Sequence, residues 1–338
     1  MATRLCRVLL AGLLVLAAVT SCASVVAGTP RAANGAGPAE RPTSSGKPRP
    51  AAEAEELIGD LTTVDPCSLT DTKELSSFGT ATIGVPDSLD ECLVDIKTST
   101  APVVLYVGGL DRVTAFPDLA GKKSTDRAGG LRVVEYDSDD SYCNHLLVFP
   151  DGITLSVNAS VYEGSQPRLC DVVRAAMDSA IEAVLLDKVD HRAYARNSLG
   201  RVDPCELMPE QALAAVPGLG SVRPKQYPGQ HNCAWTAADN SVRLRLMFIA
   251  GKPPKPVGPG ATEGQVAGRG SVLSPTPDAG SYTFCGQQTG HVPFRAPDQV
   301  GLVEIAAVFV RMPAGKVDAA CQAATAVAEA VWPKLPKV

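Results

Sequence analysis

The chain has 338 residues, 45% of them hydrophobic, and a formal charge of −5 with its charged residues dispersed. The length exceeds that of a usual single domain, and the charge pattern excludes the basic footprint of a nucleic-acid binder or a polybasic membrane patch. Ten cysteines are too many for a reducing compartment unless they bind metal or react, and no C-x-x-C spacing suggests either.

The first 21 residues read as a secretory signal. Arg4 and Arg7 precede the apolar run Val8 to Val19, which is about a dozen residues, too short to cross roughly 30 Å of hydrocarbon as a helix. Val19-Thr20-Ser21-Cys22 resembles a bacterial lipobox. That resemblance implies lipidation of the Cys22 thiol and cleavage before it, leaving a protein anchored to the outer face of the cell membrane through two or three acyl chains. Cys6 then leaves with the signal, and loss of Arg4 and Arg7 takes the charge from −5 to −7.

Residues 22–56 are rich in Ala, Gly, Pro, Ser and Thr, with Pro30, Pro38, Pro42, Pro48 and Pro50 scattered among them. Such a stretch lacks the large apolar residues needed for a core and reads as a disordered tether, spanning on the order of 30 Å as a flexible coil. The remaining residues, about 280, suit two domains of ordinary size. The expected division is a first module over 57–190 and a second over 191–338, joined by the stretch Asp187 to Leu199.

A repeat supports that division. Val64-Asp65-Pro66-Cys67-Ser68-Leu69 returns as Val202-Asp203-Pro204-Cys205-Glu206-Leu207. Apolar residues follow in register as Leu69, Leu75 and Phe78 in one copy and Leu207, Leu213 and Val216 in the other, a spacing that predicts one face of a short helix. Thr70 would cap the first such helix and Pro209 would open the second.

Strands are predicted next: Val103 to Val107, Leu131 to Tyr136, then Leu146 to Phe149 and Ile153 to Val161 around a Pro150-Asp151-Gly152 hairpin turn. In the second copy Cys233 to Thr236 and Val242 to Ala250 flank the polar turn Ala237 to Asn240, and Val303 to Val310 is the late strand. Short connections predict antiparallel pairing. Each copy closes on a helix with apolar residues at helical spacing, Leu169, Val172, Val173, Ala176, Ala180 and Val184 in one and Val317, Ala320, Ala324, Val327 and Val331 in the other. The second helix should stop at Trp332, before Pro333. The fold class is therefore α+β, two tandem modules, each a mostly antiparallel sheet packed against an N-terminal and a C-terminal helix.

Four cysteines fall in each copy, at intervals of 25, 51 and 27 residues against 28, 52 and 36. Pairing within copies leaves three arrangements per copy. The preferred one joins Cys67 with Cys92, Cys143 with Cys170, Cys205 with Cys233 and Cys285 with Cys321, because each pair ties a helix to a nearby strand.

The D-P-C-x-L opening, the Cys233-Ala234-Trp235 strand and the late cysteine that starts a small-residue helix resemble a family of actinobacterial lipoproteins of unknown function. They are also similar to extracytoplasmic sensor domains of actinobacterial serine/threonine kinases. The resemblance implies a two-disulfide α+β module with a ligand cleft and supplies no catalytic residues. Leu93 and Val94 follow Cys92 where the pattern has tryptophan, so the first copy is the more divergent.

No chemical motif emerges: G-x-S-x-G, H-E-x-x-H and G-x-x-x-x-G-K-[ST] are absent. His145, His191, His231 and His291 are scattered and read as surface or strand-end histidines, although His231, beside Tyr227 and Cys233, is placed to line a cleft. Asp137-Ser138-Asp139-Asp140 lacks the glycine and distal glutamate of an EF-hand and reads as a solvated turn. The recurring Asp65-Pro66 and Asp203-Pro204 are explained by helix-entry chemistry. The stretch Lys252 to Gly270 reads as a long disordered loop, with a lid or docking surface as the alternative. Asn158-Ala159-Ser160 fits a glycosylation sequon with little reason for use in a bacterial lipoprotein. The sequence names no cofactor, metal or catalytic residue, and its leading reading is a non-enzymatic binding or sensing lipoprotein for an envelope ligand or protein partner. An envelope enzyme whose site assembles only in the fold, and a structural or assembly factor, are the alternatives.

Overall fold

The computed structural model describes residues 53–338, apart from positions 87, 165, 167, 297 and 298. The signal sequence, Cys22 and residues 22–52 of the tether lie outside the described residues. No helix among the described residues is long and apolar enough to cross a membrane.

The first module includes residues before 57, because α1 (Ala54–Ile58) occupies what the composition assigned to the end of the tether. Ala54 and Ile58, one turn apart, are both buried in the first core, and Asp151 Oδ2 accepts a hydrogen bond from the Ala54 N–H at 3.2 Å. Three apolar residues in five, with a carboxylate over the N-terminus, outweigh the Pro/Ala/Gly character of the preceding chain.

The first module continues through β1 (Thr80–Ile83), β2 (Glu91–Lys97), β3 (Val103–Arg112), β4 (Ser124–Asp126), β5 (Arg132–Ser138), β6 (Tyr142–Val148), β7 (Ile153–Ser160) and α2 (Leu169–Leu185). The second contains α3 (Pro204–Leu207), α4 (Glu210–Ala214), β8 (Lys225–Gln226), β9 (Asn232–Thr236), β10 (Arg243–Gly251), β11 (Thr262–Val266), β12 (Arg269–Ala279), β13 (Tyr282–Pro293), β14 (Val303–Pro313) and α5 (Val317–Val331). Each builds a seven-stranded antiparallel sheet, ordered β1-β2-β3-β7-β6-β5-β4 in the first and β11-β12-β13-β14-β10-β9-β8 in the second. Matched strand by strand, β8 with β1 and β14 with β7, the two orders are the same. In each copy the last strand inserts between the third and the sixth, and the closing helix packs on one face.

The predicted alternation is visible in β10, where Leu244, Leu246 and Phe248 enter the core while Arg243, Arg245 and Met247 lie on the opposite face. The closing helices bury the predicted stripes, except that Val317 is only partly buried, and α5 passes into a 3-10 turn at Trp332.

The opening helices differ from expectation. In the first copy a single 3-10 turn, Pro66–Leu69, ends as Thr70 turns extended, and in the second Pro209 separates α3 from α4. A residue before proline is driven out of the helical region, as Met208 is at ψ 112°. Leu75, Leu213 and Val216 still reach the cores, but on turns and short pieces. The stretch Lys252 to Gly270 also departs from prediction. Its second half forms β11 and returns into β12 through Ala267 and Gly268, whose φ values of 48° and 78° make a tight hairpin turn.

Four disulfides join Cys67 to Cys92, Cys143 to Cys170, Cys205 to Cys233 and Cys285 to Cys321. In each copy the first bridge ties the D-P-C turn to the second strand and the other ties the sixth strand to the closing helix. Each module has its own core, and the two pack into one unit. Leu89, from the β1–β2 connection of the first module, is buried in the core of the second.

Candidate functional site at the module junction

Chain connectivity brings the joining segment back over the first module's opening turn. Val64 and His191 form an antiparallel bridge, the Asp65 N–H donates to the Asp190 carbonyl at 2.8 Å, and the Arg192 N–H donates to the Thr63 carbonyl at 2.6 Å. His191 Nδ1 lies 2.9 Å from Thr63 Oγ1. These bonds fix Arg192 between the modules. Its guanidinium donates to Asp65 Oδ1 at 3.0 Å and to the Leu89 carbonyl at 3.2 Å, and stacks 5.1 Å from the ring centroid of Phe294 in the second module.

Asp65 thus has two tasks. Its carboxylate caps the Cys67 N–H at 3.1 Å, as Asp203 caps the Cys205 N–H at 2.7 Å, and only the first-copy aspartate also holds an arginine. Capping explains why the dipeptide recurs.

Two adjoining cavities share Asp65, Arg192, Phe294 and Arg295. The first, about 610 Å³, is lined by the apolar Ala81, Ile83 and Pro86 and by the hydroxyl- and carboxylate-bearing Ser68, Thr70, Asp71 and Asp190. Gln299 reaches across from the second module, donating to the Gly84 carbonyl at 2.7 Å, and the buried Thr70 Oγ1 and Gln299 Oε1 have no hydrogen-bond partner among the described residues. The other, about 700 Å³, is bordered by Tyr194, Asn197, Val292 and Glu304. Burial above all pushes the Tyr194 hydroxyl up to about 12, with Arg192 pulling against it, so Tyr194 stays neutral at ordinary pH. Glu304 is buried, accepting from Ser198 Oγ at 2.5 Å and the Leu199 N–H at 2.6 Å, and so anchors the joining segment to β14.

The histidines are more enclosed than their scatter suggested, with His145, His231 and His291 all buried. His145 lies on β6 under α2, where burial chiefly lowers its pKa and Glu135 partly offsets that. It is close to Cys143 and Cys170, but both sulfurs are spent on a disulfide and are not metal ligands. His291 Nε2 faces the Asn197 carbonyl at 2.7 Å. His231 does not line an open cleft, because both its ring nitrogens are occupied: Nδ1 by Asp90 Oδ1 at 2.7 Å and Nε2 by the Gly200 carbonyl at 3.2 Å.

Of the predicted turn Asp137 to Asp140, Asp137 and Ser138 belong to β5, paired with Asn144 and Cys143, and the turn itself begins at Asp139. Asp139 Oδ1 accepts from the Ser141 N–H at 2.7 Å, the Ser141 hydroxyl at 2.8 Å and the Tyr142 N–H at 2.8 Å, and these bonds hold its pKa below the usual carboxylate range. Asn158 sits on central strand β7, its amide donating to Ser156 Oγ at 3.3 Å. Residues 252–261 carry no regular structure, and Lys252, Lys255 and Val257 border a shallow groove with Val300.

The fold defines a tandem α+β protein of duplicated two-disulfide modules with cavities at their junction. No protein-family model matches the chain, and no curated protein matches it. Among solved structures it is similar, at 10% identity, to DynU16 of the dynemicin biosynthetic locus, over 84% of this chain and 95% of that one, with a TM-score of 0.16. A likeness at that level carries no argument about fold or activity.

Proposed function

We propose that this is an exported lipoprotein, anchored through Cys22 to the outer face of the cell membrane, that binds a small amphipathic ligand in the junction cleft and serves as a sensor-like binding module. The observation that carries the binding role is the 610 Å³ cavity with walls from both modules. Its volume lies within the roughly 300–1,000 Å³ usual for small-molecule sites, and its lining combines apolar residues with hydroxyls and charges. Asp65 and Arg192, its most enclosed charges, are paired with each other and hold the walls in place. The resemblance to actinobacterial lipoproteins and kinase sensor domains supports the same reading, as do the lipobox and the tether.

Two expected results test it. Substituting Cys22→Ala should move the protein from the membrane fraction to the soluble fraction, and undiminished membrane retention would count against the anchor. For the cleft, the full chain is extracted in mild detergent from its native envelope and weighed by native mass spectrometry with its bridges intact. A retained small molecule is expected, with occupancy falling about tenfold in Ile83→Arg, which places a charge where the cavity has an apolar lining residue. Ile83 is 38% exposed, so the fold should tolerate the change. Equal occupancy in both proteins, or none in either, would remove the cleft reading.

A further inference from the structure

Asp90, just before β2, and His231, just before β9, belong to different modules and meet across the junction. The His231 side chain is 3% exposed and that of Asp90 16%, so bulk water is a poor substitute partner for either. On the far side of the imidazole stands the carbonyl of Gly200. A carboxylate and a carbonyl are both acceptors, while a neutral imidazole has one N–H and one lone pair. Only the doubly protonated ring donates to both; the neutral ring turns a lone pair toward a buried oxygen.

The surroundings are arranged around that charge. Gly229 lies so close that a Cβ there would stand 2.4 Å from Asp90 Oδ1. The Tyr194 ring packs edge-on to the imidazole with centroids 5.6 Å apart, and its hydroxyl remains neutral. Arg192 opposes a second positive charge at His231, whereas Arg245 on β10 interacts electrostatically with both Asp90 and Glu91. Burial is the largest influence on His231 and disfavours its charge. The Asp90 carboxylate, by charge and hydrogen bond, and the Gly200 carbonyl together outweigh it, so the pKa is raised.

The neighbours of this contact carry its state outward. Leu89, adjacent to Asp90, is a core residue of the second module, and its N–H donates to the Phe248 carbonyl at 3.4 Å. Arg192 holds the Leu89 carbonyl and lines both cavities, and Tyr194 lines the larger one.

We propose that Asp90, His231 and Gly200 form a proton-operated latch between the modules: the charged imidazole holds the junction closed, and its deprotonation frees Leu89 and the cleft wall to move. Because the folded-state pKa is raised, the latch contributes fully below the ordinary histidine value of about 6.5 and is lost as pH rises through the folded value. Loosening therefore comes on the alkaline side. The latch stands on its own geometry and does not require a ligand in the cleft.

The test uses the full chain in detergent, labelled with ¹⁵N-histidine, with His231→Gln to assign the ring. Both His231 nitrogens should be protonated at pH 6, and one proton should leave at a pH above the ordinary histidine value. Over the same range the protection factor of the Leu89 amide, corrected for intrinsic exchange, should fall about tenfold while that of Leu246 on β10 holds. In Asp90→Asn the fall should be absent. A ring that is already singly protonated at pH 6, or Leu89 protection that is independent of pH, would overturn the latch. The ring measurement is made on the unmodified protein, so it stands even if a variant fails to fold.

Discussion

Removing the bridge between β6 and α2 with Cys143→Ala and Cys170→Ala should lower the stability of the first module by about 3–4 kcal/mol, read as a drop in the denaturant midpoint. The estimate is the loop-closure entropy that a cross-link over 27 residues removes from the unfolded chain. The bridge also sits in the core, with Cys143 fully buried and His145 buried beside it, so its loss leaves a void next to an imidazole whose pKa burial lowers. The modules have separate cores but share the Leu89 and Arg192 contacts, so the loss should appear first in the earlier of two overlapping transitions. A stability unchanged within about 0.5 kcal/mol would show that the bridge adds nothing beyond the packing around it.

Trp332→Ala should destabilise the second module by about 3–5 kcal/mol, the usual cost of deleting a buried aromatic. Trp332 ends α5 with no exposed surface, and its indole N–H donates to Ser271 Oγ at 3.1 Å, a hydroxyl that is itself buried. The substitution opens a cavity and also removes the indole donor from Ser271 Oγ, whose own hydroxyl keeps its bond to the Arg269 carbonyl at 3.2 Å. Counted from the helix cysteine, the first module has Ile181 at this position, buried in the first core but without an indole N–H. Trp332→Phe should recover most of the packing but not the hydrogen bond, and so fall between the two. Trp235, the other tryptophan of the chain, is buried on β9 and reports unfolding by fluorescence in either variant. A loss below about 1 kcal/mol in Trp332→Ala would mean that α5 closes over the space.

Legibility in the sequence followed burial for most strands, although the interior strand β2 was not read despite Cys92, Val94 and Ile96 alternating into the core. The strands β3, β5, β6, β7, β9, β10 and β14 were readable because they are interior, or nearly so, and carry apolar residues toward a core. The strands β1, β4, β8 and β11 were not, because their residues are almost all exposed or partly exposed and they are held by backbone bonds to a neighbour rather than by a pattern of their own. The long strand β12 was masked by Pro275 and Pro277. Its partner β11 pairs only as far as Leu273, so beyond that point β12 is an edge where a missing N–H leaves no ladder bond unmade. The strand β13 was hidden by its Gln, Thr and Gly content, although Thr283, Gln287 and Thr289 are buried under α5.

The candidate site was less legible than the fold. Asp65 and Arg192 lie 127 residues apart and Asp90 and His231 lie 141 apart, and nothing local marks any of them as partners. His231 drew attention for its neighbours Tyr227 and Cys233, but its burial and its two acceptors were invisible there. What the amino-acid sequence by itself determined was the duplication, the cysteine framework and the two closing helices, because periodic apolar residues and repeated cysteines act through near neighbours. Tertiary structure alone decided where the edge strands pair, how Leu89 crosses into the other core and which charges meet at the junction, because burial and pairing between distant segments exist only once both sheets have formed.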